Sequence, residues 1–257
     1  MFKKKASIIF KGLFVISCFF GLSLTSQDAP TYAIFLSYFT TQSNILCMLV
    51  MLLFFFITIY DQVRYTRFFR VLKASTTVAI MVTFLIYHFV LRPNMAPDID
   101  NVAKGFGNLM VHYITPLWFL SDYLLFDFKG TTRWTDPFYY MIFPLYYFVF
   151  ANVRAVTGDF FHYGSTISQF PYPFLDYLVY GNYGVSFAII IITVAVLILG
   201  FVFVFFDHIM RKPKVQFHTN LYGTISYKPE QIENEAMPKN TPDIVVDLTH
   251  DLEDQNE

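Results

Sequence analysis

The segment Phe39-Thr40-Thr41-Gln42-Ser43-Asn44 crowds hydroxyls and amides into two helical turns, and Asn108 and His112 stand four residues apart farther along the chain. A threonine or serine hydroxyl is a weak nucleophile until a neighbouring base takes its proton, and a neutral histidine can do that. Thr40 and Asn44 share one helix face at this spacing, as do Asn108 and His112. The developing oxyanion of an acyl transfer needs donors, which Asn44, Asn108 or the Ser43 hydroxyl could supply. His88 and Asp176 are the remaining candidates, Asp176 as an acid able to orient His112 from a loop. No G-x-S-x-G elbow, P-loop or H-E-x-x-H occurs. Two histidines on separate helices are too few for a metal site, so neither metal nor cofactor is expected.

Such residues act only if something brings them together, and composition names the frame. Hydrophobic residues are 55% of the 257 positions and charged residues 14%, with 32 phenylalanines, against roughly 25% charged in soluble domains. A water-soluble enzyme could not hide that much apolar surface. A net charge of -1 without a dense basic face excludes a nucleic-acid partner. Cys18 and Cys47 lie inside apolar runs and make neither a disulfide framework nor a metal pair. The class predicted is an all-α polytopic membrane protein.

A span needs about 20 apolar residues, and six segments qualify: residues 6–25, 39–60, 74–91, 105–126, 137–156 and 184–206. Pro116 and Pro144 should kink the fourth and fifth. A basic start before an apolar run also fits a signal peptide, but no small-x-small cleavage site follows it. Residues 1–212 form the membrane domain in this reading. Residues 213–257 are acidic, rich in amides and broken by prolines, and are expected to be a disordered cytoplasmic tail. Within it, Ile244-Val245-Val246 could bind a cytoplasmic partner as a short strand.

Lysine and arginine set the orientation. Lys3 to Lys5, Arg64 to Lys73, Lys129, Arg133 and Arg211 to Lys214 fall on one side, against Arg92, Lys104 and Arg154 on the other. Both termini of this multi-pass cell-membrane protein are therefore expected in the cytoplasm. Thr40 to Asn44, His88, Asn108, His112 and the loop Phe170-Pro171-Tyr172-Pro173-Phe174-Leu175-Asp176 then share the outer-leaflet layer. Taken singly, a Thr or Asn at such depth is more often packing glue between helices, and His88 a packed or interfacial ring. Asp122 lies about 15 Å deeper than His112 at the helical rise. It is expected to be a structural acid facing Arg133, with a place on a proton path as the alternative.

In order along these spans, Phe39 to Asn44, then Val111-His112-Tyr113-Ile114-Thr115-Pro116-Leu117, then Tyr172-Pro173-Phe174-Leu175-Asp176 resemble the androgen-induced-gene family of membrane proteins. The likeness runs over roughly residues 31–206. Animal members are intramembrane threonine hydrolases that cleave fatty-acid esters of hydroxy fatty acids. The resemblance implies Thr40 as nucleophile and His112 as its partner, with Thr41 an adjacent competitor. Gln42-Ser43-Asn44 after the threonine and the long acidic tail depart from the animal pattern, which leaves substrate identity open. The expected function is thus a hydrolase of fatty-acyl esters drawn from membrane lipids near the outer leaflet. The alternatives are a non-enzymatic envelope protein acting through partners and a small-solute transporter.

Overall fold

The computed structural model describes residues 2–60, 66–94, 102–163, 166–211, 216–219 and 225–228. The chain divides into two units, Met1–Ile209 and Met210–Glu257. The first is almost entirely helical. Five of its helical stretches are long and apolar enough to cross a membrane: Lys3–Ser26, Phe39–Tyr60, Arg67–Leu91, Lys104–Phe126 and Tyr177–Ile209. Their outer faces are apolar, with Leu13, Ile16, Phe19, Phe187 and Ile190 all exposed. A soluble monomer rarely shows such continuous apolar surface, and the composition is that of helices made for lipid.

Helix α1 spans Phe2–Ser26 and is followed by the short α2, Tyr32–Ser37, whose N-cap Thr31 accepts a hydrogen bond from the Ile34 amide at 3.2 Å. Tyr38 then turns extended, at φ -78° and ψ 138°, and α3 starts afresh at Phe39 and runs to Tyr60. The break puts Thr40 in the first turn of a new helix. The Ser37 carbonyl, at the end of α2, takes its donor from the Tyr147 hydroxyl at 3.0 Å.

Helix α4, Arg67–Ile86, widens into a π-helical turn at Tyr87–Leu91, and α5, Val102–Leu109, widens likewise at Met110–Ile114 before α6, Thr115–Phe126. In the second case the sequence supplies the cause. Pro116 has no amide proton and its ring crowds the preceding turn, and the helix answers with the wider loop in which the Thr115 amide bonds the Met110 carbonyl. π-turns of this kind gather at functional sites.

The fifth expected span, 137–156, is not one helix. It consists of α7, Asp136–Tyr140, and α8, Ile142–Thr157, joined at Met141. Pro144 withholds the amide that would bond the Tyr140 carbonyl, so the helix breaks one turn ahead of it. Beyond α8 come the antiparallel pair β1, Phe161–Tyr163, and β2, Thr166–Ser168, and a 3₁₀ turn at Pro173–Leu175. Helix α9, Tyr177–Ile209, starts seven residues earlier than the 184–206 expected and bends at Gly181, whose φ of 64° only glycine adopts without strain.

Two apolar cores fill the unit. Phe14, Cys18, Cys47, Met51 and Phe119 join α1, α3 and α6, while Ala74, Val78, Tyr140, Val196 and Val204 join α4, α7 and α9. Gly21 lets α1 lie against the π-turn of residues 110–114, since a Cβ there would stand 2.7 Å from the Met110 Cβ. In the second unit the strands β3, Gln216–Thr219, and β4, Ile225–Lys228, pair antiparallel inside the tail expected to be disordered. Ile244, Val245 and Val246 lie outside the described residues.

Candidate active site

The π-turn of residues 110–114 packs against α3, and the two candidate segments meet there. The Thr40 Oγ1 and His112 Nε2 atoms are 3.3 Å apart. The other ring nitrogen, Nδ1, lies 3.1 Å from the Asn108 carbonyl oxygen one turn earlier. A carbonyl only accepts, so Nδ1 carries the proton of the neutral ring and Nε2 turns a lone pair on the threonine hydroxyl. That is the tautomer a general base needs. His112 is 8% exposed and lies flat against Tyr87, the ring centroids 3.7 Å apart and the planes 15° from parallel. Stacking fixes the ring plane, and the Asn108 carbonyl fixes its rotation.

Asn44 ties the two elements together. Its amide donates to the Thr40 carbonyl at 2.8 Å and to the Val111 carbonyl at 3.1 Å. In the widened turn the Val111 carbonyl would look to residue 116 for a donor, and residue 116 is proline. Asn44 supplies what Pro116 withholds. Ser43 is spent similarly, its hydroxyl bonding the Thr40 carbonyl at 3.0 Å and the Thr83 hydroxyl of α4 at 2.8 Å. Both residues, proposed above as oxyanion donors, thus hold the frame on which Thr40 sits. Asn108 lines the same cavity as His112. Thr41 is 5% exposed and shares that cavity, while the imidazole contact belongs to Thr40.

Asp176 is elsewhere. Its carboxylate bonds the Ser168 hydroxyl at 2.5 Å and the Leu178 amide at 2.8 Å, anchoring the loop and the start of α9. The orienting acceptor for His112 is a backbone carbonyl rather than an acid. His88 faces the Tyr113 hydroxyl at 3.0 Å and stacks on Phe84, which leaves it exposed beside the site.

Tyr172 was not singled out by sequence, although it sits in the Tyr-Pro-Phe-Leu-Asp run. Its hydroxyl accepts from the Thr40 amide at 3.4 Å and also hydrogen-bonds the Thr40 side chain. Burial lifts its phenol to about 12 against the pull of those bonds, so it stays protonated and able to donate. Tyr38, Tyr147 and Phe174 hold the ring. The loop that carries it is moored by Arg154, which bonds the Ser37 hydroxyl at 2.9 Å and the Asp159 and Gln169 carbonyls.

Two cavities meet at Thr40. The larger of the two, about 680 Å³, is lined by Thr40, Asn108, His112, Lys104, Asp28 and Tyr180 among others. A smaller, apolar slot of about 100 Å³ runs between α4, α8 and α9.

At the opposite end of α3 lies a second polar group. Asp122, fully buried, pairs with Lys73 at 2.5 Å and with Lys11 at 2.9 Å, and Lys73 also bonds Asp127 at 2.6 Å. Arg133, its expected partner, instead offers its backbone amide to Asp136 at 2.9 Å. Lys11 lies inside the first apolar segment, where the sequence reading gave it no role. Among the described residues no cluster of His, Cys, Asp or Glu could hold a metal ion. No family model, curated protein or solved structure matches the chain.

Proposed function

We propose that the protein is an integral-membrane hydrolase of fatty-acyl esters, with Thr40 as nucleophile and His112 as general base. The observation that carries this is the 3.3 Å approach of Thr40 Oγ1 to the unprotonated nitrogen of a ring whose other nitrogen is held by the Asn108 carbonyl. Hydrogen bonds of this kind are often long before substrate arrives and tighten with it.

The chemistry closes without further groups. Thr40 Oγ1 attacks the ester carbonyl carbon while its proton passes to His112 Nε2. The carbonyl electron pair moves onto oxygen as the tetrahedral intermediate forms. When it collapses, the bond to the alcohol oxygen breaks, that oxygen takes the proton from Nε2, and an acyl ester remains on Thr40. Water then gives a proton to His112 and attacks the acyl carbon, and collapse returns the proton to Oγ1 and frees the carboxylic acid. The oxyanion forms at the amino end of α3, where amides lack intrahelical partners and the helix dipole is positive. The Tyr172 hydroxyl stands there as a donor.

In this reading α7 and α8 together make a sixth crossing. The 22 residues of Asp136–Thr157 would reach about 33 Å at the helical rise. Both termini are cytoplasmic by the distribution of basic residues, the Thr40 layer faces outward, and the tail meets a cytoplasmic partner. The three motifs that resemble the androgen-induced-gene family support the same assignment. A fluorophosphonate probe tests it. The purified protein should be labelled, Thr40→Ala should abolish labelling and ester hydrolysis, and His112→Ala should lower turnover by about 10² to 10⁴. Thr41→Ala should retain both. Wild-type labelling and turnover in the Thr40 and His112 variants would end the hydrolase reading.

A further inference from the structure

We infer that the acyl chain of the substrate lies in the slot between α4, α8 and α9, reached sideways from the bilayer, and that the alcohol half occupies the larger cavity. This rests on the hydrolase reading and adds the polarity of binding to it.

The two cavities share Thr40, Leu91, Tyr172 and Phe174, so a carbonyl at the threonine hydroxyl has open space on both sides. His112 and Asn108 line only the larger one. The base that takes the Thr40 proton must hand it to the departing oxygen, which therefore leaves on the His112 side. The acyl group, bonded to Thr40 after that step, is left on the other side. Chemistry alone thus assigns the halves.

The linings agree. Val82, Ile86, Met141, Leu145, Ile189 and Ile192 give the slot apolar walls, whereas Asp28, Lys104, Asn108 and Tyr180 bring polar groups to the larger cavity. The slot volume of about 100 Å³ equals only about three waters at roughly 30 Å³ each, too little to enclose a long chain. Its rim is open instead. Leu145 is 53% exposed on the outer face of α8, beside Val149, and Ile190 is exposed on α9. A chain seated with its first carbons in the slot continues along that surface, where lipid tails already lie. Water for deacylation arrives from the opposite, polar side, next to His112.

The test uses the full chain in lipid nanodiscs with p-nitrophenyl esters of short and long acids, and with one acid esterified to small and bulky alcohols. Ile192→Phe, which narrows the slot, should lower the long-to-short acyl rate ratio roughly tenfold or more, the scale set by a misfitted methylene. The ratio for bulky over small alcohols should stay put. Val90→Trp, at the larger cavity, should do the reverse. Ile192→Ala should admit a branched acyl group that the parent rejects. An exchange of the two effects, or ratios that move in neither variant, overturns the assignment. A fatty ester with a diazirine on the first few carbons of its acyl chain gives a readout independent of turnover. Adducts on Leu145 or Ile189 support the slot, and adducts confined to Val90 or Lys104 overturn it. If the wild-type chain cleaves no ester at all, the hydrolase reading falls and the adduct map alone decides where an acyl chain binds.

Discussion

The Asn108 carbonyl oxygen sits 3.1 Å from Nδ1 of His112, one turn on in the same helix. A carbonyl only accepts, so this contact puts the ring proton on Nδ1 and leaves the Nε2 lone pair to Thr40. In many hydrolases a carboxylate does this and also steadies the imidazolium as it forms. A carbonyl orients the ring but brings no full charge. Because the acceptor belongs to the backbone, it survives any substitution of its own side chain. Asn108→Ala should therefore lose no more than about threefold in turnover. A loss of about 10² to 10³ would instead assign the Asn108 amide to the oxyanion. Steady-state rates of that one variant decide between the two.

Tyr172 provides the sharpest single-atom experiment. Tyr172→Phe removes one hydroxyl and keeps the ring packed between Tyr147 and Phe174. If that hydroxyl donates to the oxyanion, kcat should fall about 10²-fold with little change in KM, since the bond strengthens only in the transition state. If it merely covers the Thr40 amide, kcat should hold and thermal stability should drop by about 1 kcal/mol.

Asn44 and Pro116 are predicted to be coupled. Asn44→Leu deprives the Thr40 and Val111 carbonyls of their side-chain donor in a buried setting and should cost about 1 to 3 kcal/mol in stability. Pro116→Ala returns an amide proton within reach of the Val111 carbonyl. The double variant should then be more stable than the sum of the singles predicts, a coupling measurable by thermal unfolding in detergent. Simple additivity would mean that the Asn44 bond to Val111 serves no purpose set by the proline.

How much of this was legible beforehand differs residue by residue. The boundaries 39–60 could be read to the residue because an uninterrupted apolar run follows a polar cluster. Thr40 and His112 could be singled out by residue type and spacing, but their contact depends on the helix neighbours and on two departures from regular helix. One is the extended Tyr38 and the other the π-turn at 110–114. Neither has an apolar period to betray it. From the sequence Pro116 implies a kink, whereas the chain answers by widening the turn ahead of it. Residues 136–157 read as one span because hydropathy is blind to the break at Met141. Nothing in the sequence marks Tyr172 and Tyr87, because aromatics are everywhere in it and only position distinguishes these two. Lys11 was lost inside an apolar run for a related reason, its partner Asp122 lying far along the chain.

That buried pair leads to the last prediction. Asp122 is held between Lys73 and Lys11 with none of the three more than 2% exposed. Lys73 also lies 4.7 Å from the Phe54 ring centre, which puts the group about 21 Å along α3 from Thr40 at the helical rise. Charges out of water are tolerable only while paired. Asp122→Asn leaves Lys11 without its acid and Lys73 with Asp127 alone, and should destabilise the fold by about 3 to 5 kcal/mol. Lys11→Met should cost less, because Asp122 keeps Lys73 and the thioether fits an apolar wall that already includes Phe126. In the fraction that stays folded at low temperature, ester turnover per active site, titrated by fluorophosphonate, should match the parent within about twofold in both variants. A specific loss of turnover in folded Asp122→Asn protein would show that the buried charges act on the Thr40 site. Such a loss would make proton movement through the bundle the next thing to measure.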